Sequence, residues 1–317
     1  MAAVIGGIQA IALIDVQDLT AAGRFDSQER ALRHCERLEN GDIFLLKQSP
    51  LLPPERECAF LFKVRQTDSR YHKNIAYRPS QDRLTGFSGS GTDAGRLQRV
   101  LRAHSQRAQQ LVTKLFAPYA QLWQCDLTSF RPVEEGGRQL PLKARNDLLH
   151  IDSFPTRPTN GNRILRVFTN INPTRSRVWL TGETFEVQAK RMATAAGLSD
   201  FATQACSPWR HLRRRLTRMA NSIGIPLREG SPYDRFMHKF HHYLKANRDF
   251  QEHGPKWQCE FPPGSSWIVF TDAVPHAVLS GQFALEQTFI VPRAALLVPD
   301  KAPVHILEEL CGTSLTP

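Results

Sequence analysis

At 317 residues, 41% hydrophobic and 22% charged, the chain has the composition of a soluble globular protein forming one large or two ordinary domains. A formal net charge of +11 points to an anionic partner: nucleic acid, an acidic membrane surface or an acidic small molecule. No window approaches the roughly 20 apolar residues of a membrane-spanning helix, and the six cysteines are scattered without CxxC or CxxH spacing, which argues against a zinc ribbon or disulfide framework and for a reducing compartment.

The apolar opening MAAVIGGIQAIALID lacks the basic segment of a signal peptide and runs into Asp15, so it reads as a buried strand of a protein that is not exported. DSQERALRHCERLENG is a helix, with Asp26 and Glu29 as a capping box and Gly41 just past its end. GDIFLL reads as a strand. Residues 73–95 are rich in Gly, Ser and Asp and read as a mobile lid or connector; their GSG lacks the lysine of a phosphate-binding loop. The next 27 residues, starting AGRLQRV, form a long amphipathic helix with Leu97, Val100, Leu101, His104, Leu111 and Leu115 near helical spacing, stopped by Pro118.

From Leu122 the texture changes. LWQCDLTSFRPVEE, RILRVFTNINP, SRVWLTG, TFEVQAK, WQCEFPPGSSWIVFTDAVPHAVLSG and FALEQTFIVPR are short β-branched and aromatic runs between Pro, Gly, Asn and Ser turns. This spacing predicts a sandwich or a jelly roll. A basic helical block over 190–250 interrupts it, with ten Lys/Arg against Glu229 and Asp234 between Ser207 and Arg248. Its segment WRHLRRRLTRMA presents arginines all round and suits either a solvated helix or a phosphate-docking surface.

NDLLHIDSFPTRPTNGNRILRVFTNINP (146–173) reads as strand, loop, strand. His150 and Asp152 stand two apart in an extended segment, so their side chains leave one face. A metal site, a general-base pair and an ordinary loop all fit that spacing. A metal site needs a third ligand, and the best candidate is His276, which follows an apolar strand and a Pro turn. Two histidines and one carboxylate on ferrous iron leave positions open for a 2-oxo acid and dioxygen. A 2-oxoglutarate cosubstrate further demands a cation for its distal carboxylate. GQFALEQTF, the strand after His276, offers Glu286 and Gln287 and no cation before Arg293. RILRVF offers Arg163 and Arg166, and alternation puts Arg166 on the face of Ile164, Phe168 and Asn170. A competing site is His238 with His242, at the i, i+4 spacing of a zinc pair but without the glutamate of HEXXH.

The strings SFRPVEE, RNDLLHIDSFPTRPTNGNRILRVFTNINP, RVWLTGETFE, YDRFMHKFHHYLK and PPGSSWIVFTDAVPHAVLSGQFALEQTFIVP resemble the Kdo hydroxylase family over residues 70–295. Those are Fe(II)/2-oxoglutarate/O2-dependent dioxygenases of Gram-negative bacteria that hydroxylate carbon 3 of 3-deoxy-D-manno-oct-2-ulosonic acid (Kdo) in Kdo–lipid A. The resemblance implies a mainly β fold, a double-stranded β-helix (jelly roll) core with flanking α-helices and a basic helical insertion. It implies one domain over 1–317: an α/β part (1–120), the core (about 121–295, with the insertion at 190–250) and a tail (296–317). It places the iron triad on His150, Asp152 and His276, and suggests Arg166 for 2-oxoglutarate, with Arg131, Arg177 and Trp179 for the substrate. The basic block then serves contact with the anionic leaflet at the inner face of the inner membrane. This is a cytoplasmic, peripheral location with no nucleic-acid partner. Two rival expectations are a 2-oxoglutarate oxygenase acting on protein or nucleic acid, and a binding protein: a basic nucleic-acid binder or a non-catalytic jelly-roll lectin.

Overall fold

The computed structural model describes residues 11–13, 24–66, 74–206 and 230–316. The segment WRHLRRRLTRMA and most of the apolar opening lie outside these residues.

An eight-stranded sheet forms the frame. Its order is β1 (Ile11–Leu13), β2 (Ile43–Leu46), β9 (Ser266–Phe270), β6 (Arg163–Asn170), β11 (Ala284–Val291), β5 (Gln124–Arg131), β3 (Ile75–Arg78) and β4 (Arg83–Thr85). A three-stranded sheet, β10 (His276–Ser280), β7 (Arg177–Gly182) and β8 (Lys256–Phe261), lies opposite. Every pairing but β1–β2 is antiparallel. These are the two sheets of a jelly roll with helices outside.

The large sheet is covered on both faces, which explains strands that read as apolar throughout. On β6, Leu165 and Val167 point outward, into a cluster with Ala108, Leu111, Val112 and Leu115 of α3 (Gly91–Leu115) and Leu38 of α1 (Arg24–Glu39). The alternate residue Phe168 points inward, into a cluster with Trp179, Phe261, Trp267 and Val278. Period two therefore divides β6 between the helical layer and the barrel interior.

Behind the small sheet pack α4 (Phe185–Met192), α5 (Leu198–Cys206), α6 (Pro232–Ala246) and α7 (Arg248–His253). With α8 (Pro303–Cys311) they bury Phe185, Phe236, Phe240, Ile306 and Leu307 around Leu149 and Ile151. Ser231 and Asp234 cap α6 reciprocally. The Asp234 carboxylate also accepts from the Thr159 amide at 2.7 Å, which pins the loop leading into β6.

Three sequence expectations change. TFEVQAK alternates like a strand, yet it starts α4: Phe185, Gln188, Ala189 and Met192 are the buried positions, and their spacing is helical. Residues 73–95 contain the β3–β4 hairpin, turned at Asp82 (φ 46°), and the start of α3, where the Ser90 hydroxyl accepts from the Asp93 amide. The GSG segment is thus a helix cap. Finally, the first strand of 146–173 is reduced to one bridge, His150 with His276.

Candidate metal centre

That bridge assembles the centre. The His150 amide donates to the His276 carbonyl at 3.1 Å, and the His276 amide returns a bond of 2.9 Å. Asp152 is fixed next along the chain, its amide donating to the Thr271 carbonyl at 2.8 Å. One ligand atom from each of His150, Asp152 and His276 lies within 4.8 Å of the others. Among the described residues this is the one group of three or more His, Cys, Asp or Glu side chains so placed.

Both imidazoles are set for coordination through Nε2. His150 Nδ1 lies 2.7 Å from the Leu148 carbonyl and His276 Nδ1 lies 2.9 Å from the Val274 carbonyl. A carbonyl only accepts, so each Nδ1 carries the proton and each Nε2 keeps a lone pair. Burial, the other histidines and Lys245 hold His150 well below its ordinary value, and burial also lowers His276. Burial alone would raise the Asp152 carboxyl, but Arg166, His276 and His150 hold it well below the usual carboxylate range. Two neutral imidazoles and one carboxylate are the donor types a facial iron site uses.

Around this set runs a chain of alternating charges built by register. Glu286 on β11 pairs across with Ser129 on β5 and Phe168 on β6. Arg131 and Arg166 lie two residues from those partners, on the same inward face. Arg166 Nη1 is 3.1 Å from Asp152 Oδ2, and its Nε is 3.2 Å from Glu286 Oε1. Arg131 Nη2 donates to Glu286 Oε2, which also accepts from Ser129 Oγ at 3.0 Å. Beyond Arg131, Glu135 follows, 3.7 Å from Arg177 Nη2. Arg177 also donates to the Gly281 carbonyl at 3.1 Å. Gly281 has φ +132°, and a Cβ there would meet Arg177 Cγ at 2.6 Å, so the guanidinium's path requires glycine.

The sequence-predicted residues thus fall into three groups. His150, Asp152, His276 and Arg166 share one centre. Arg131 and Arg177 extend from it along the charge chain. Trp179 lies against it: its indole stacks on the His276 ring at 4.9 Å and packs among Phe168, Phe261 and Trp267. The buried N–H groups Trp179 Nε1, Arg131 Nε and Arg177 Nε have no acceptor. Arg163, the other arginine of β6, is fully buried elsewhere, its Nε donating to Asp272 at 2.9 Å.

His238 and His242 do stack edge to face at 4.6 Å, but no third ligand joins them among the described residues. Their neighbour His241 is the one that reaches the centre. Its Nδ1 is 2.6 Å from the carbonyl of Ile151, the residue between His150 and Asp152, and its ring meets that of His150 at 4.9 Å. Burial pushes His241 down to about 3, so it is neutral.

A family model described as 3-deoxy-D-manno-oct-2-ulosonic acid (Kdo) hydroxylase matches residues 22–314. The chain belongs to the Kdo hydroxylase family. Among solved structures it is similar to the Kdo hydroxylase KdoO, a non-heme Fe(II) α-ketoglutarate-dependent dioxygenase, in complex with α-ketoglutarate and Fe(III). The two are 33% identical, with a TM-score of 0.79, over 97% of this chain and 98% of that one. The cobalt(II) complex and the apo structure of that enzyme match over the same shares at 33% identity, each with a TM-score of 0.80. No curated protein sequence matches the chain significantly.

Within this Kdo hydroxylase family member, sequence reasoning passed over three residues. Glu286 registered there only as the absence of a cation, whereas it gathers two. His241 was hidden between the more regular His238 and His242. Arg157, over the Phe154 ring at 4.1 Å and paired with Asp126, belongs to a Pro-rich loop whose course no local pattern predicts.

Proposed function

We propose that the chain is an Fe(II)/2-oxoglutarate-dependent dioxygenase that hydroxylates Kdo, at carbon 3 of a Kdo residue in Kdo–lipid A, to give D-glycero-D-talo-oct-2-ulosonic acid. The observation that carries this is the convergence of His150 Nε2, Asp152 and His276 Nε2 inside the jelly roll of a Kdo hydroxylase family member. Iron with 2-oxoglutarate and dioxygen supplies the oxidising power that converts C–H to C–OH, with succinate and carbon dioxide as co-products.

The protein's share is positioning and charge. His150, Asp152 and His276 would hold one face of the metal and leave the opposite face to ligands. Arg131, Arg166 and Arg177 balance Asp152, Glu135 and Glu286 within the charge chain. A divalent metal therefore leaves this set two charges positive, which a dicarboxylate neutralises. The acceptor-free N–H groups of Arg131, Arg177 and Trp179 favour acceptor-only ligands, and 2-oxoglutarate and the Kdo carboxylate are both such ligands. Arg166, nearest to Asp152, is assigned to 2-oxoglutarate. Arg131, Arg177 and Trp179 are assigned to the sugar acid.

A lipid-linked substrate and a net charge of +11 support peripheral contact with an anionic leaflet at the inner face of the inner membrane. Liposome flotation at low salt tests this, and indifference to anionic vesicles would refute it.

The deciding experiment is mass spectrometry of Kdo–lipid A incubated with protein, Fe(II), 2-oxoglutarate and air. One added oxygen on Kdo is expected, and none with His276→Ala. Turnover by that variant, or succinate release stimulated by peptide or oligonucleotide instead of Kdo–lipid A, would overturn the assignment.

A further inference from the structure

A basic cleft of about 270 Å3 lies away from the metal centre, between α3 and the short helix α2 (Glu55–Leu61). Four arginines line it: Arg56 from α2, and Arg96, Arg99 and Arg107 from one stripe of α3, with Ala103 between the last two. Glu57 is the sole acid in the lining, and two of the arginines already share it. Arg96 Nε is 3.0 Å and Arg56 Nε is 3.5 Å from its carboxylate. Arg96 is braced further, over the Phe60 ring at 4.4 Å and donating to the Arg56 carbonyl at 3.0 Å.

Arg99 and Arg107 have no carboxylate within ion-pair distance among the described residues. Arg107 is half-buried, and its Nε is buried with no acceptor. A guanidinium N–H withdrawn from water without a partner is costly unless a ligand supplies an acceptor. The lining sums to three positive charges, four arginines against Glu57. Guanidinium forks bind paired oxygens, and a tetrahedral dianion presents oxygens to several forks at once, where a carboxylate presents two.

We propose that this cleft is a binding site for a phosphate monoester dianion, with Arg99 and Arg107 as its principal contacts. The proposal stands apart from the dioxygenase assignment, since none of its residues touches the metal centre. The ligand is either a lipid phosphate or a soluble phosphate ester.

The test compares wild-type protein with Arg99→Gln/Arg107→Gln and with Arg99→Gln alone, a change at an exposed position that leaves the packing intact. Three probes are used: inorganic phosphate by calorimetry and thermal shift, acetate at equal ionic strength, and phosphatidylcholine vesicles with and without phosphatidic acid. Phosphate should bind wild type and raise its melting temperature. Acetate should do neither. The double variant should bind phosphate at least tenfold more weakly, and the single variant should fall between. Loss of phosphatidic-acid vesicle binding in step with phosphate binding supports the site with a lipid source. Loss of phosphate binding alone supports it with a soluble source. Equal phosphate binding by wild type and both variants, or equal protection by acetate, would overturn the proposal. Iron-dependent 2-oxoglutarate turnover without lipid should stay at the wild-type rate throughout.

Discussion

Two arginines three residues apart on β6 have opposite kinds of neighbourhood. Arg163 is wholly buried, faces one carboxylate, Asp272, and lies over the Phe270 ring at 4.0 Å. Its ion pairing is exclusive: neither partner has another ionic contact among the described residues. Arg166 is shared between Asp152 and Glu286, and Asp152 belongs to the candidate metal-binding group. An exclusive pair serves the fold, while a shared cation can be redistributed when a ligand arrives. The lesson is to ask of a buried arginine what else its carboxylate partners are positioned to hold.

Five substitutions sharpen that contrast. Arg163→Met leaves Asp272 buried without its cation and should cost about 3–5 kcal/mol in denaturant unfolding, the price of breaking a buried pair. Adding Asp272→Leu should recover much of it, and the folded fraction should keep its 2-oxoglutarate requirement. Arg166→Met should instead raise the half-saturating 2-oxoglutarate about 10- to 150-fold, the equivalent of a charge-assisted bond of about 1.5–3 kcal/mol. A rise in the Kdo requirement alone would reassign Arg166 to the sugar.

Glu286→Gln keeps the shape but removes the charge that gathers Arg131 and Arg166, so 2-oxoglutarate affinity should fall roughly tenfold. It should also change acid stability. Burial pushes the Glu286 carboxyl up, yet Arg166 and Arg131 bring it from the ordinary 4.5 down to about 2. A depressed folded value stabilises the protein above the unfolded value and loses that stabilisation as pH falls through the folded one. Between about pH 4.5 and pH 2, wild type should therefore lose stability more steeply than Glu286→Gln. An effect of similar size, on the metal instead of the cosubstrate, is expected of His241→Phe, which keeps the packing but frees the Ile151 carbonyl. Cobalt(II) affinity by calorimetry should drop about tenfold, as for other outer-sphere partners of metal ligands.

Much of this centre was legible because its chemistry repeats locally. A histidine and an aspartate two apart need no tertiary information, and Pro275 before His276 marks the turn that starts β10. Arg166 was partly legible for the same reason: period two puts it on one face with Ile164, Phe168 and Asn170, and the fold turns that face inward. Glu286 was not, because its meaning depends on which residues of β5 and β6 stand beside it, and register across strands far apart in sequence leaves no local trace. TFEVQAK was misread because seven residues fit either period, and the helical spacing shows only in which of them are buried: Phe185, Gln188 and Ala189, continued by Met192 beyond the window. The 146–150 segment was read as a full strand because its composition is strand-like. In the fold it donates one bridge and then turns away to deliver Asp152.

The reciprocal amide contacts between His150 and His276 tie the two backbones, and each imidazole Nδ1 is held by a main-chain carbonyl. The ordering entropy of the imidazoles is therefore met by the protein's own bonds during folding and not on loading. A chelator should accordingly strip the protein without melting it, and re-addition should restore the loaded form at the speed of ligand exchange.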